Sequence, residues 1–146
     1  VDAVIADFIA GAAEALSPAN DDDHWDIVEG QGSLFHPSYA GVSMGLMHGA
    51  QPHWLVMCHE MGRPHMRHLP HQPMISLKDC VEANLRAARV TSESVQLAGF
   101  AINTSNYTEE DARAYCAEIC AEFGLPATDP VRFGIDDIAA LLQERG

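Results

Sequence analysis

The stretch Asp26 to Ser33, DIVEGQGS, sets the Glu29 carboxylate just ahead of Gly30 and Gly32. A carboxylate at a strand end can hold a magnesium ion or act as a general base, and glycines beside it let backbone N–H groups approach an anion. An ordinary tight turn has the same spacing. His59-Glu60 closes the apolar run Trp54 to His59, and an imidazole there can act as an acid or base near neutral pH. Arg63 and Arg67 stand four apart in GRPHMRHLP, and guanidinium forks suit carboxylates or phosphates. Asn103 ends QLAGFAIN and can offer its amide to a purine edge, with the turn DPVRFG, which contains Arg132, walling the same base.

The eight histidines all lie between His24 and His71, and their spacing fits neither H-E-x-x-H nor H-x-x-E-H. No metal site is expected, and the histidines, His36 among them, read as loop or pocket residues. Asp21 to Asp23 reads as a solvated loop, because a calcium site needs a longer ligand pattern. The six methionines and the pair Cys116 and Cys120 read as packing residues.

Periodicity supplies the elements that must position these groups. Residues 3–16 place Val4, Ile5, Phe8, Ile9, Ala12 and Leu16 at helical spacing, stopped by Ser17-Pro18. Trp25 to Glu29 reads as a short strand, 33–52 as a Gly-, Ser- and His-rich stretch with a short helix near Val42 to His48, and Trp54 to His59 as a second strand. Glu60 to Pro73, with three prolines, reads as irregular. Ser76, with Asp79 in the capping-box position, opens a helix over 76–90. Gln96 to Asn103 is a strand. Thr108 caps a helix from Glu109 to Phe123, which Gly124 closes. Leu125 to Pro130 is briefly extended, and Ile135 to Arg145 is a last amphipathic helix.

Helices alternating with short apolar strands predict an α/β fold, a parallel sheet flanked by helices, whose ligands bind beyond the carboxyl ends of the strands. The loaded ends are Glu29-Gly30-Gln31-Gly32-Ser33, Cys58-His59-Glu60 and Asn103-Thr104-Ser105.

Composition bounds the rest. At 146 residues, 47% hydrophobic and 20% charged, the chain has the size and make-up of one globular domain or of a piece of one, residues 1–146. Its net charge of −13 leaves no basic stripe for nucleic acid. Lys78 is its only lysine, so a phosphate-binding loop of the G-x-x-x-x-G-K-[ST] type is absent from this sequence. Its apolar runs fall short of the roughly 20 residues of a membrane span. Four poorly spaced cysteines and no basic, apolar leader point to reduced thiols in a cytoplasmic protein. Val1 in place of a methionine is expected of a fragment or a processed chain.

The order of motifs carries a resemblance. VDAVIADFIAGAAE, HWDIVEGQGSLFHPSYAGVSMGLMHG, LVMCHE, GRPHMRHLP, GFAINTS and GLPATDPVRFG cover most of the chain and are similar to the C-terminal part of the D-glutamate N-acetyltransferase-like family, long described as ATP/GTP-binding. The resemblance implies a P-loop NTPase domain of the dethiobiotin-synthetase type. The family's phosphate loop lies upstream of a stretch like VDAVIADFIAG, so this chain looks like the second half of that domain, without the loop or the family's N-terminal domain. Its partners would be that missing half, a small-molecule substrate and, because half a sheet leaves an edge and apolar faces uncovered, another copy of the chain.

Family membership implies transfer of acetyl from acetyl-CoA to the amine of a D-amino acid such as D-glutamate. On that reading Glu29 or His59 takes the amine proton, and the N–H groups of Gly30 to Ser33 receive the thioester oxygen. Arg63 and Arg67 meet the substrate carboxylates, with Ser33 and His36 on the substrate side. Asn103 and Arg132 line the groove for the adenine and diphosphate of CoA, as do Gly30 and Gly32. Two other readings stay open: an ATP- or GTP-dependent enzyme with Glu29 on magnesium, and a non-catalytic binding or oligomerisation module.

Overall fold

The computed structural model describes residues 6–21 and 23–145. They fall into two compact units, one built from 1–53 and 75–95, the other from 54–74 and 96–146.

The first unit is helical. Helix α1 spans Ala6–Leu16 and α2 spans Ala40–Ala50. The expected positions Val4 and Ile5 lie outside the described residues. Of the remaining face, Phe8, Ala12 and Leu16 are exposed and Ile9 is half-buried, and the buried alanine is Ala13, one position on from Ala12. The two helices meet through small residues. A side chain at Gly49 would put its Cβ 2.0 Å from the Ala10 carbonyl oxygen, so only glycine lets the backbones approach this closely. Ser17 ends α1 by donating its hydroxyl to the Ala13 carbonyl at 2.8 Å.

Residues 25–29 form no strand, contrary to the reading of WDIVE. A strand exists through the backbone of a neighbour, and among the described residues none pairs with this segment. Ile27 is 96% exposed, so the apolar residues that suggested a strand bury little here.

In the second unit β1 (Trp54–Glu60) is followed by two short strands, β2 (His65–Met66) and β3 (Leu69–Pro73). These pair antiparallel, so the stretch read as irregular is a hairpin, with buried Met66 as its apolar anchor. Its prolines hid it. Pro73 lies at the end of an edge strand, where a missing N–H costs no ladder bond.

The chain then returns to the first unit as α3 (Leu77–Ala88), whose expected cap is present. The Asp79 N–H donates to Ser76 Oγ at 3.1 Å, and the Ser76 hydroxyl donates to the Asp79 carboxylate at 2.7 Å.

Strand β4 (Gln96–Asn103) lies between β1 and β5 (Ala127–Thr128), parallel to both. Covered on both faces, it buries Ala98, Phe100 and Ile102 completely. Between β4 and β5 runs α4 (Glu109–Phe123), capped by Thr108 and closed by Gly124 in the left-handed region. Its Ala112, Cys116 and Ile119 are buried, and Phe123 packs on Phe100 with ring centroids 4.6 Å apart. Cys120, expected to pack with Cys116, is exposed, because the buried line of α4 runs from Ala112 through Cys116 and Ile119 to Phe123 and leaves Cys120 beside it. A four-residue helix, α5 (Pro130–Phe133), and α6 (Asp136–Arg145) complete the unit. Among the described residues no disulfide joins the cysteines, and no helix is long and apolar enough to cross a membrane.

Candidate functional site

Parallel register brings the chemistry of the second unit to one end of its sheet. Glu60 stands opposite Asn103, and the Met61 N–H continues the ladder to the Asn103 carbonyl at 3.1 Å. Since β5 runs the same way, Asp129 follows at that end too. Two of the three expected strand ends therefore coincide, and the third group is Asp129, which the sequence reading did not single out.

Alternation along β1 separates His59 from Glu60, because successive side chains of a strand point to opposite faces. The His59 Nε2 lies 3.0 Å from the hydroxyl of Tyr115 on α4, and the two rings stack with centroids 6.1 Å apart. Burial lowers the His59 pKa below its ordinary value; the positive charge of Arg63 lowers it further, and Glu60 partly opposes the shift. The imidazole is therefore neutral at pH 7 and has a lone pair available on one nitrogen. Glu60 forms an ion pair with Arg63 three residues on. Arg67 is exposed in the turn between β2 and β3, beside His68, whose φ is +62°.

The loop after β4 is braced rather than open. Asp129 is buried and accepts from the Thr104 N–H at 3.0 Å and from the Thr104 hydroxyl, and also from the Val131 and Arg132 N–H groups at 3.0 and 3.2 Å. Burial alone would raise its pKa, but these bonds together outweigh it and hold the carboxyl below its ordinary value. Arg132 donates to the Tyr107 carbonyl at 3.0 Å, to the Thr108 carbonyl at 3.4 Å and to the Thr104 hydroxyl at 3.3 Å. Its guanidinium thus ties down 104–108, and any base or phosphate would have to displace those bonds. Asn103 is exposed, and its Oδ1 accepts from the Ser105 N–H at 3.0 Å. Gly62, at φ +69°, lets the Tyr107 hydroxyl sit where a side chain would begin: a Cβ at 62 would lie 1.8 Å from it.

The glycine loop belongs to the first unit. Glu29 and Gly30 are exposed, and nothing lies within 4 Å of a Cβ built on Gly30. The Gly32 N–H donates to Ser43 Oγ at 3.0 Å, and the Ser43 hydroxyl donates to the Gly32 carbonyl at 2.7 Å. One of the N–H groups expected to receive an oxyanion, that of Gly32, is thus already bonded within the protein. Ser33 Oγ accepts from the Phe35 N–H at 3.1 Å, a local turn. His36 is buried, stacks on Tyr39 at 4.3 Å and accepts from the Ser38 N–H on Nδ1 at 3.2 Å.

Tyr107 and Tyr115 were missed as site residues, and Thr104 and Asp129 entered only as members of the stretches Asn103-Thr104-Ser105 and DPVRFG, with no role of their own. Each acts through a partner distant in sequence; the one available signal was Asp129-Pro130, an N-cap followed by a first-turn proline. Among the described residues no three His, Cys, Asp or Glu side chains are grouped to hold a metal ion.

A parallel sheet with a helical crossover and polar groups at its carboxyl ends defines an α/β domain of the nucleotide-fold class. The chain belongs to the family described as Domain of unknown function (DUF1611_C) P-loop domain, which it matches over residues 1–139. It is 50% identical over 142 residues to a D-glutamate N-acetyltransferase of Pseudoalteromonas sp, covering 97% of this chain and 43% of that protein. To a D-glutamate N-acetyltransferase of Tritonibacter scottomollicae it is 49% identical over 145 residues, with 97% and 44% covered. The crystal structure of a DUF1611 family protein from Anabaena variabilis ATCC 29413 superposes with a TM-score of 0.82 at 37% identity, covering 97% of this chain and 42% of that one. The resemblance read from VEGQGSLFHPSYAGVS is borne out, and the chain spans less than half the length of these relatives.

The residues of this chain do not by themselves fit a magnesium-bound nucleotide. It has no lysine-bearing glycine loop, Glu60 is paired with Arg63, and Arg132 is engaged with backbone carbonyls.

Proposed function

We propose that this chain is part of an N-acetyltransferase that moves acetyl from acetyl-CoA to the amine of a D-amino acid such as D-glutamate. The observation that carries the reading is His59, a half-buried imidazole bonded to Tyr115 near the carboxyl end of a parallel strand, with Arg63 three residues beyond Glu60. Relatives of about 50% identity that bear the name D-glutamate N-acetyltransferase support the substrate class.

In the reaction the amine nitrogen bonds to the thioester carbon and the C–S bond breaks. His59 takes the proton that the amine gives up, and the departing sulfur leaves as the thiol of CoA once it gains a proton. Glu29, on the exposed loop of the first unit, is the other group able to accept the amine proton. Arg63 and Arg67 supply positive charge for the substrate carboxylates in a chain of net −13. Arg63 meets substrate by exchanging or sharing its Glu60 partner. Exposed Asn103, at the end of β4, is the group for the adenine side of CoA.

The test uses the full-length protein, following CoA thiol release with D-glutamate. His59→Gln should lower kcat by roughly a hundredfold or more, the usual scale of a lost general base. If it retains wild-type turnover while Glu29→Gln loses it, the base is Glu29. Arg63→Ala and Arg67→Ala should each raise KM for D-glutamate about ten- to a hundredfold, more than KM for acetyl-CoA. Because the His59 pKa is lowered in the free protein, the imidazole stays largely unprotonated at its ordinary 6.5, so the acid limb of kcat/KM should lie below that pH. ATP or GTP hydrolysis without acetyl transfer would overturn the reading. The P-loop description of the family makes that the second candidate.

A further inference from the structure

We infer that Tyr115 is a positioning residue: its hydroxyl, carried on α4, accepts the Nε2–H of His59 and thereby directs the imidazole lone pair to Nδ1. The catalytic consequence rests on the reading of His59 as the base. The geometry is the 3.0 Å contact between Nε2 and the phenol oxygen, with the rings stacked at 28°.

A phenol can donate or accept, so the contact alone permits two tautomers. One argument selects between them and a second permits the choice. First, on the reading of His59 as the base, the lone pair must lie on the nitrogen that makes no hydrogen bond among the described residues. With Nε2 against Tyr115, that nitrogen is Nδ1, and Nε2 must then carry the proton. Second, the groups around the phenol are acidic. Glu118 and Glu122 on α4 act on it electrostatically, as do Cys116 on the same helix and Tyr107 from the loop after β4. Burial first, and then these groups, disfavour the phenolate, so Tyr115 keeps its proton at neutral pH. A phenol that keeps its proton still has oxygen lone pairs to offer Nε2–H. Around His59 the charged groups are Glu60 on β1 and Arg63 in the following loop.

The two tautomers make opposite predictions. If Tyr115 accepts from Nε2–H, its bond strengthens when the ring becomes imidazolium, because a cation is the better donor. Removing the hydroxyl then favours the neutral ring. If Tyr115 donates to a bare Nε2, the bond exists only with the neutral ring, and removing it favours the charged form.

The experiment is nitrogen NMR of the full-length protein with labelled histidine, His59 being assigned by the signal lost in His59→Gln. In the wild type the neutral ring should be the Nε2–H tautomer. In Tyr115→Phe, which keeps the stacked ring, the midpoint of the His59 titration should fall by roughly 0.5–1. The same variant should lower kcat for acetyl transfer about tenfold with little change in either KM, and the acid limb of its kcat/KM should move with the His59 midpoint. A midpoint that rises, one that does not move, or a wild-type ring protonated on Nδ1 overturns the inference, and the wild-type tautomer decides it even if the variant fails to fold. The shift seen in a protein without acetyl transfer would leave the positioning role intact and sink the function. Acetyl transfer by a protein whose His59 ignores Tyr115 would do the reverse.

Discussion

Asp129→Ala is expected to destabilise the protein by about 3 kcal/mol or more, since it leaves buried donors without an acceptor. Thr104 loses both its N–H and its hydroxyl partner, and the first turn of α5 loses its cap at Val131 and Arg132. Chemical denaturation measures the loss directly. Its pH dependence gives a second readout with a defined sign. The folded-state pKa of Asp129 lies below the unfolded value, so the carboxylate's contribution is fully present above about 4 and disappears as pH falls through the folded value. The stability gap between wild type and Asp129→Asn should therefore narrow on acidification. A gap that is constant from pH 7 to pH 2 would mean that Asp129 stabilises through shape alone.

Gly62→Val is expected to cost about 3 kcal/mol from two separable sources. Holding an L-residue in the left-handed region costs roughly 1–2 kcal/mol, more for a β-branched one. The new side chain also meets the Tyr107 hydroxyl, and overpacking adds roughly 1–3 kcal/mol. Because Gly62 sits between Glu60 and Arg63, their ion pair should be disturbed and turnover should drop with stability. A cycle with Gly62→Ala and Tyr107→Phe separates the sources. Removing the hydroxyl should recover part of the steric loss while the backbone cost stays. If Tyr107→Phe rescues nothing, the two loops do not press on each other as described.

What was legible in the sequence was local. Thr108, Asp111 and Gly124 mark both ends of α4 through contacts within a few residues, and the structure places that helix at Glu109–Phe123 as read. Strands β1 and β4 announced themselves as apolar runs, because β4 is covered on both faces. The strand expected at 25–29 shows the limit of that signal. Apolar β-formers suggest a strand, but a neighbouring backbone has to complete it. The hairpin at 65–73 was hidden for the opposite reason, its edge strands tolerating prolines that normally argue against pairing. In the site, His59, Arg63 and Asn103 were visible by type and position. Their partners were not: Tyr115 is 56 residues from His59, and Asp129 is 25 from Thr104. Arg132 was visible for its charge, whereas the structure uses its donors on the carbonyls of Tyr107 and Thr108.

The second unit is discontinuous, and this has a consequence for the order in which it assembles. Strand β4, helix α4 and β5 follow one another without interruption, so their pairing closes a short loop. Strand β1 reaches β4 only after the chain has travelled through α3 of the other unit. Closing the longer path costs more entropy before any contact offsets it. The β4–α4–β5 segment is therefore the natural nucleus, and β1 joins a template already formed. In refolding the Phe100 amide, bonded to the Pro126 carbonyl, is expected to gain protection from exchange before the Met61 amide, bonded to the Asn103 carbonyl. His59 rides on the late strand while Tyr115 rides on the early helix, so the pair forms at the last step of that assembly.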